Sequence, residues 1–396
     1  MRLYPLPKVI LAITAQLLVS GAANAFTPVF PETQFASNDR YDRSDFDESD
    51  FQWQPNHHPL PPSQPTISGA LKNSLQQTSN YLRTLNPNQH LAQNGANLSV
   101  HSLSQTLNSL LRWDGKLTPQ ELQTHFDLIP LANSSSRRSA KFTGYYTPII
   151  QASNKPSYEF RYPIYRSPMA GSLRLLSRNM ISQGALKNRR LEIAWTNDPV
   201  GFFYMQIQGS GILKYQNGHQ VTLSYAGSNE KPFKSLAKHM QKMGYLHNNL
   251  GREAVQKWLS SNPQHLQTVM NSNPRYVYFK PSKKALITAS GLPIVSGVSV
   301  AVDTAFIPFG SVILANVPVI NSKGQVLRAE WKILLPHDRG IAIKGPARMD
   351  IYTGEGEAAR VVANRLTGFG KAYLLQTRQG IQLSNNQTNQ KSFTPL

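Results

Sequence analysis

The pattern of residue types changes after Pro148, and this change constrains the fold of the chain more than any other feature of its sequence. Downstream, short runs rich in β-branched and aromatic residues alternate with Gly, Pro and Asn, which is typical of strands joined by turns. Helical spacing interrupts this pattern near 234–243, 252–269 and 358–366. The predicted strands are Tyr162–Tyr165, Leu191–Trp195, Phe202–Ile207, Val277–Phe279, Val298–Val302, Ser311–Leu314, Trp331–Leu335 and Ala372–Leu375.

The region before this change is predicted to be helical. Thr118-Pro119-Gln120-Glu121 has the residues of a capping box, with proline at the first helical position. His101 and His125 fall within these helices, where a lone histidine is more often structural than catalytic. Leucines recur at helical spacing as Leu103, Leu107, Leu110 and Leu111.

Cysteine is absent from the chain. This excludes disulfides, thiol catalysis, cysteine metal sites and a lipid anchor attached at cysteine. The ten histidines show no His-x-x-x-His spacing, so we predict no metal site and no cofactor. The fold must then depend on hydrophobic cores, and about 370 residues suffice for two domains.

The first 25 residues have the layout of a cleavable secretory signal. Arg2 and Lys8 precede an apolar run, 9–19, and small residues end the segment at Ala25. The apolar run is too short to span a bilayer. We therefore predict a signal peptide at 1–25 and export of the remaining chain to the periplasm.

Charge is distributed unevenly along the chain. Residues 26–66 carry seven acidic and two basic side chains and many prolines, which predicts a disordered acidic linker. Residues 67–396 carry 37 basic against 14 acidic side chains, a net charge of +23. Such a charge favours an anionic polymer, and export leaves the cell wall or a membrane surface rather than nucleic acid. A polar tail is predicted at 381–396.

Acidic residues are so sparse after the linker that three aspartates stand out. Asp303 precedes a Pro/Gly turn, and we interpret it as a structural residue that binds backbone amides. Asp338 opens the segment Asp338-Arg339-Gly340. Asp350 lies in a run that is predicted to be a strand.

Alternation along the predicted strand 348–352 places Arg348, Asp350 and Tyr352 on one face. Met349 and Ile351 then point into a core. This interpretation leaves the carboxylate of Asp350 exposed beside an aromatic ring.

These segments resemble the signature of the membrane-bound lytic murein transglycosylase A family, which carries three spaced aspartates. The resemblance covers roughly 140–376, and its several ordered motifs make it specific. Arg339 and Ile341 depart from the family, which usually has a small or polar residue and a second glycine there. The matching motifs are Phe142-Thr143-Gly144-Tyr145-Tyr146-Thr147-Pro148, Gln208-Gly209-Ser210-Gly211, Tyr225-Ala226-Gly227, Asn273-Pro274-Arg275-Tyr276-Val277-Tyr278-Phe279-Lys280 and Gly354-Glu355-Gly356.

The resemblance implies a mainly β fold with packing helices. A double-psi β-barrel is expected from 67–149 and 275–380, and a smaller β-rich glycan-binding domain from the inserted residues 150–274. By match to the motif, Asp350 is the expected catalytic acid/base and Asp338 a supporting carboxylate. The expected reaction is cleavage of peptidoglycan glycan strands with a 1,6-anhydromuramyl product.

Further residues of the motifs are candidates for contact with sugar. For each tyrosine, the sequence favours packing in the core or at the barrel rim as much as sugar contact, and Gly209 and Gly211 are more simply explained as turn glycines that let the backbone approach a ligand. The candidate substrate-binding residues are Thr143, Tyr145, Tyr146, Gln208, Gly209, Ser210, Gly211, Lys344 and Tyr352.

Two other functions stay open at this point. A conventional wall hydrolase would use Asp338 or Asp303 as a second catalytic carboxylate. A glycan-binding, wall-loosening module would cleave little. Besides glycan strands, proteins of wall synthesis or remodelling are candidate partners, with the acidic linker as one contact. Without the family's lipid-attachment cysteine, the protein is expected to be at most loosely associated with the wall or outer membrane.

Overall fold

The computed structural model describes residues 64–67, 69–91, 98–113, 115–131, 140–282, 286–340 and 343–378. The predicted signal peptide, the linker up to residue 63, Ile341 and the polar tail lie outside these ranges. No helix in the described part of the chain combines the length and apolarity needed to cross a membrane.

Helices occupy both ends of the described chain and part of its middle. A 3-10 turn at Pro263–His265 separates two of them. The helices are α1 (Gly69–Leu82), α2 (Val100–Leu111), α3 (Pro119–His125), α4 (Gly171–Arg174), α5 (Arg178–Ser182), α6 (Pro199–Gln208), α7 (Leu236–Lys242), α8 (Arg252–Ser261), α9 (Leu266–Asn271) and α10 (Gly356–Arg365).

The strands form a small ribbon and two larger sheets within the described residues. They are β1 (Thr66–Ile67), β2 (Gly115–Lys116), β3 (Phe126–Pro130), β4 (Ala140–Thr147), β5 (Ile149–Ser153), β6 (Tyr162–Tyr165), β7 (Glu192–Thr196), β8 (Ser210–Tyr215), β9 (Gln220–Ser228), β10 (Val277–Ser282), β11 (Ser299–Ala301), β12 (Ile313–Ile320), β13 (Val326–Asp338), β14 (Arg348–Glu355), β15 (Thr367–Gly370) and β16 (Ala372–Thr377).

The predicted packing helices are present and capped as their sequence indicates. Thr118 accepts a hydrogen bond from the backbone of Glu121, whose carboxylate in turn accepts from the Thr118 amide. Leu103, Leu107 and Leu110 are buried on α2 and join the core of the larger sheet. The helices therefore cover this sheet and extend its core.

The larger sheet closes on itself into a barrel. Its order is β15-β4-β14-β11-β13-β12-β16-β3. β15 pairs with β4 at one end, and β16 pairs with β12 near the other, although only Lys371 separates β15 from β16 in the chain. The pairings thus form a ring of β4, β14, β11, β13, β12 and the β15–β16 segment, with β3 added outside β16. The predicted fold class, a β-barrel with an inserted β-rich region and packing helices, is confirmed.

The second sheet is built from the residues between β4 and β11. Its order is β10-β9-β8-β5-β7-β6, and β5 follows β4 after Pro148 alone. Helices α7, α8 and α9 pack with α6 in a separate apolar cluster. β10 pairs with β9, so this strand belongs to the second sheet, although the sequence predicts that residues from 275 onward are part of the barrel. The other domain boundaries stay predictions.

One strand prediction was wrong, because Phe202–Ile207 lies in helix α6. Asp198 caps this helix by accepting a hydrogen bond from the amide of Gly201 at 2.7 Å, and Pro199 occupies the first turn. Gly209 ends it with a left-handed backbone, φ +78°. The run is apolar except for Gln206, so its periodicity could not distinguish a buried helix from a buried strand.

Candidate active site

Two aspartates lie on either side of one alanine in the barrel. Ala301 of β11 pairs with Asp338 of β13 on one side and with Asp350 of β14 on the other. Thr143 of β4 continues the row as the partner of Asp350. Since neighbouring strands lie about 4.8 Å apart, the Cα atoms of the aspartates are separated by roughly 10 Å. The barrel pairing thus brings together residues that are far apart in sequence.

Asp350 is buried, which corrects the prediction that strand alternation exposes it. Only 2% of the residue is accessible, because β4 and β11 flank it on both sides. The hydroxyl of Thr143 donates to Oδ1 of Asp350 at 2.6 Å. Met349 and Ile351 enter the barrel core as predicted.

Asp338 is held by three donors. The amides of Ala289 and Arg339 donate to its Oδ1 at 3.2 and 2.9 Å, and the phenol of Tyr145 donates to its Oδ2 at 3.1 Å. Burial raises the pKa of the Asp338 carboxyl, and the charge of Asp350 adds to this rise, while the three hydrogen bonds oppose it. The second carboxylate is therefore fixed in place by its surroundings.

Tyr145 donates a hydrogen bond to Asp338 and contacts the ring of Tyr352. Its ring lies 5.2 Å from that of Tyr352, centroid to centroid. Burial, and then the charges of Asp338 and Asp350, raise the pKa of the Tyr145 phenol well above its ordinary value. Burial also raises the pKa of Tyr352 to about 12, although its hydroxyl is hydrogen bonded to Thr147 at 2.8 Å. Both phenols consequently remain protonated and can act as hydrogen-bond donors.

Tyr146 lies on the opposite side of β4 from these groups. It is 5% exposed and packs against Ala359 and Ala363 of α10. The guanidinium of Arg252 lies 5.8 Å from the centre of its ring. Tyr146 was predicted to accompany Tyr145 at the substrate site, and the structure places it on the opposite face of β4, since successive strand residues point to opposite faces.

The Gln208–Gly211 motif connects α6 to β8 at the junction of the two sheets. The amide of Ile212, just after the motif, donates to the carbonyl of Pro148 at 2.8 Å. Gly209 is the left-handed cap of α6, and a Cβ on Gly211 would lie 2.2 Å from the side chain of Met205. Helix capping and close packing therefore explain both glycines, whereas Gln208 and Ser210 are partly exposed beside the junction.

Asp303 has the structural role predicted for it. Its Oδ1 accepts from the amide of Ala305 at 3.2 Å, and its Oδ2 accepts from the amide of Gly345 at 2.9 Å. This fixes the segment that contains Lys344, whose side chain is exposed. Asp303 therefore stabilises the loop that contains Lys344 and Gly345.

His337 is a residue at the site that the sequence did not reveal. It precedes Asp338, is fully buried, and contacts Thr78 of α1 and Ser299 of β11 through its two ring nitrogens. A single histidine inside an apolar strand forms no recognisable motif. The backbone amide of Ala289 was missed as well, because no side-chain pattern identifies it.

Two family models match the part of the chain that contains these residues. Residues 141–280 match the family described as MltA specific insert domain, and residues 298–376 match the 3D domain. Among solved structures, that of Escherichia coli MltA with bound chitohexaose has a TM-score of 0.67 and 29% identity, covering 83% of this chain and 96% of that one. A lytic transglycosylase of Burkholderia pseudomallei has a TM-score of 0.53 and 26% identity over 80% and 98% of the two chains.

Curated relatives point to the same family. The membrane-bound lytic murein transglycosylase A of Escherichia coli strain K12 is 33% identical over 284 residues, which are 70% of this chain and 77% of that protein. The protein of the same name from Vibrio cholerae is 32% identical over 252 residues, 62% of this chain and 67% of its own. The chain belongs to the membrane-bound lytic murein transglycosylase A family.

Proposed function

We propose that this protein is a lytic transglycosylase of peptidoglycan. It cleaves the β-1,4 bond between N-acetylmuramic acid and N-acetylglucosamine and leaves a 1,6-anhydromuramyl end. Family membership supports the reaction class, and the chitohexaose-bound relative supports a glycan ligand. The observation that carries the proposal is the buried Asp350, hydrogen bonded to Thr143 and set in one strand row with Asp338.

Asp350 acts as the single acid and base in this proposal. Its protonated carboxyl donates the proton to the glycosidic oxygen, and the bond from that oxygen to C1 of the muramic residue breaks. The resulting carboxylate then takes the proton of the C6 hydroxyl, whose oxygen bonds to C1 and closes the anhydro ring. Asp350 ends as it began, protonated, and water is not consumed.

The surroundings of Asp350 favour this route over hydrolysis. Its burial keeps bulk water away from the reacting carboxyl. A hydrolase would need a second carboxylate to attack the sugar or hold water. Asp338 is instead engaged at both oxygens by the donors described above, which supports a role in fixing Tyr145.

The remaining candidates divide by position. Thr143 contacts the acid directly, and the partly exposed ring of Tyr145 lies beside it, as stacking on a sugar face requires. Tyr352 is buried and contacts the ring of Tyr145, so we propose that it supports that ring. Gln208, Ser210 and Lys344 are polar and partly or fully exposed, and we propose that they bind hydroxyl, acetamido or carboxylate groups farther along the glycan. The layout of the first 25 residues supports action in the periplasm.

The test is mass spectrometry of the products that the mature protein releases from purified peptidoglycan. Asp350→Asn is run beside it, with Asp127→Asn, the same change at an exposed carboxylate, as the control. We expect anhydromuramyl products from the wild type and the control, and a rate lower by about three orders of magnitude for Asp350→Asn.

Three results would contradict the proposal. Products heavier by one water would indicate a hydrolase. Equal release by Asp350→Asn would remove its role as the acid. Glycan binding without release by the wild type would indicate a binding module.

A further inference from the structure

The strand that carries Asp338 contains one extra residue. In the parallel pairing of β11 with β13, Val300 lies opposite Pro336, whereas the next residue, Ala301, lies opposite Asp338. His337 is therefore the inserted residue of a β-bulge. In an unbulged strand His337 would pair with Ala301, and the side chain of Asp338 would turn to the other face of the sheet.

Hydrogen bonds fix the ring of this inserted residue from both sides. The hydroxyl of Thr78 donates to the carbonyl of Ser74 at 2.7 Å, so its oxygen must accept from Nε2–H of His337 at 2.9 Å. Ser299 Oγ accepts from the amide of Val295 at 2.9 Å and can then donate its proton to Nδ1 of His337 at 3.0 Å. Each hydroxyl proton and each ring nitrogen thus has one partner.

This pattern requires a neutral imidazole. Burial lowers the pKa of His337 to about 4, so the ring is uncharged at neutral pH. The hydrogen-bond count assigns the tautomer with the proton on Nε2. A second proton on Nδ1 would face the hydroxyl of Ser299 and displace the proton that this hydroxyl donates.

The backbone of the bulge also holds the loop that binds Asp338. The carbonyl of His337 accepts from the amide of Ser290 at 3.0 Å, and the preceding amide, that of Ala289, donates to Asp338. The ring and the carbonyl of one residue therefore fix both the register of Asp338 and one of its donors. Thr78, which anchors the ring, lies outside the two segments matched by family descriptions.

We propose that His337 is a positioning residue for the reaction, and that helix α1 is part of the active-site support through Thr78. By fixing the bulge, the Ser299–His337–Thr78 bridge keeps Asp338 opposite Ala301, where it binds the phenol of Tyr145. The inference rests on the proposed function, because the bridge is proposed to position Asp338 for that reaction.

Thr78→Val tests this proposal with little change of shape. It leaves Nε2–H of His337 without its acceptor, whereas Thr78→Ser keeps the hydroxyl. Thr106→Val is the matched control: Thr106 is also buried, donates to the carbonyl four residues earlier, and accepts from a strand amide, that of Thr377. That strand, β16, pairs with β12 and β3 rather than with the strands of the aspartates.

Three measurements are made on each variant. Initial rates against peptidoglycan concentration separate kcat from KM, and thermal unfolding gives Tm. In protein labelled with 3-fluorotyrosine, the ¹⁹F signal of Tyr145, assigned by its loss in Tyr145→Phe, reports the contact with Asp338. We expect Thr78→Val to lower kcat about tenfold with KM unchanged and to shift this signal. Thr78→Ser should restore both, and Thr106→Val should change only Tm.

The outcomes separate the two proposals. An unchanged kcat and an unshifted Tyr145 signal in folded Thr78→Val would refute the positioning role. If Thr106→Val loses as much kcat as Thr78→Val at the same change in Tm, the bridge has a purely structural role and the proposal is wrong. Absence of anhydromuramyl products from the wild type would overturn the proposed function, while the ¹⁹F comparison would still decide the bridge. If Thr78→Val does not fold, His337→Gln replaces it. The amide of this glutamine can donate toward Thr78, but the side chain places no acceptor at the position of Nδ1, which faces Ser299.

Discussion

The two faces of strand β4 differ in what they do with similar residues. On one face, the hydroxyls of Thr143 and Tyr145 donate to the two aspartates. On the other, Phe142 fills the barrel core, Gly144 lies against the backbone of α10, and Tyr146 packs on the same helix. Tyr145 and Tyr146 are neighbours in sequence and chemically identical, yet only one has its phenol hydrogen bonded to a carboxylate.

The difference shows that strand alternation places the groups that contact the aspartates on one face of β4 and the residues that pack the core and α10 on the other. The polar face contributes hydroxyl groups whose loss should alter the rate, whereas the packed face contributes volume whose change should alter stability. One strand can serve both purposes because residues two apart share a face and adjacent residues do not.

The largest expected effect is on the free energy of unfolding and concerns His337, which fixes the position of Asp338. Because His337 binds a proton more weakly in the folded protein than when unfolded, with a pKa of about 4 against 6.5, its contribution to stability is complete above pH 6.5 and is lost as pH falls toward 4. The loss amounts to about 3 kcal/mol. Urea unfolding of the wild type and His337→Gln between pH 7.5 and 4 should show a steeper decline for the wild type. Parallel declines would contradict this.

Gly144→Ala should break the packed face. A Cβ at Gly144 would lie 2.8 Å from the Cα of Ala363 in α10, so the helix must move. We expect the free energy of unfolding to fall by about 2 kcal/mol, measured by urea denaturation. Gly171→Ala is the control, because a Cβ there meets open space. A loss of rate without a loss of stability would mean that Gly144 serves the polar face instead.

Tyr145→Phe should affect the polar face alone. It removes the donor to Oδ2 of Asp338, and we expect kcat to fall about tenfold with little change in Tm. Release of muropeptides at saturating peptidoglycan is the measurement, with Tyr158→Phe at an exposed position as the control. Retention of the full rate would show that the contact between Tyr145 and Asp338 is dispensable.

Tyr146→Phe should have the smallest effect. The phenolic oxygen of Tyr146 is buried without a hydrogen-bond partner in the described part of the chain, so its removal should raise the free energy of unfolding by up to about 1 kcal/mol. The rate should be unchanged, as measured by the same muropeptide assay. A loss of rate comparable with that of Tyr145→Phe would abolish the distinction between the two faces.

Local patterns predicted much of this molecule. The capping box at Thr118, most strands, the core positions Met349 and Ile351, and the turn role of Asp303 follow from contacts within a few residues. Such features depend on short-range geometry, which the order of residues determines directly.

Features that depend on distant segments were not accessible in the same way. Alternation correctly put Asp350 on the face opposite Met349, but the burial of that face depends on β4 and β11, which come from elsewhere in the chain. The bulge at His337 is visible only in the pairing of two strands. The helical state of 202–207 depended on a cap and a terminal glycine whose signals were outweighed by an apolar, aromatic run.

Closure of the barrel by β15 and β16 has a consequence for how the protein folds during its synthesis. The hydrogen bond from Thr143 to Asp350 joins residues 207 positions apart, and the strand that completes the ring ends only at Thr377. Contacts of such long range form late, after the intervening chain has been ordered. A chain that stops before residue 372 lacks β16, so we expect the ring, and with it the row of the two aspartates, to be complete only after the residues of this strand have been synthesised.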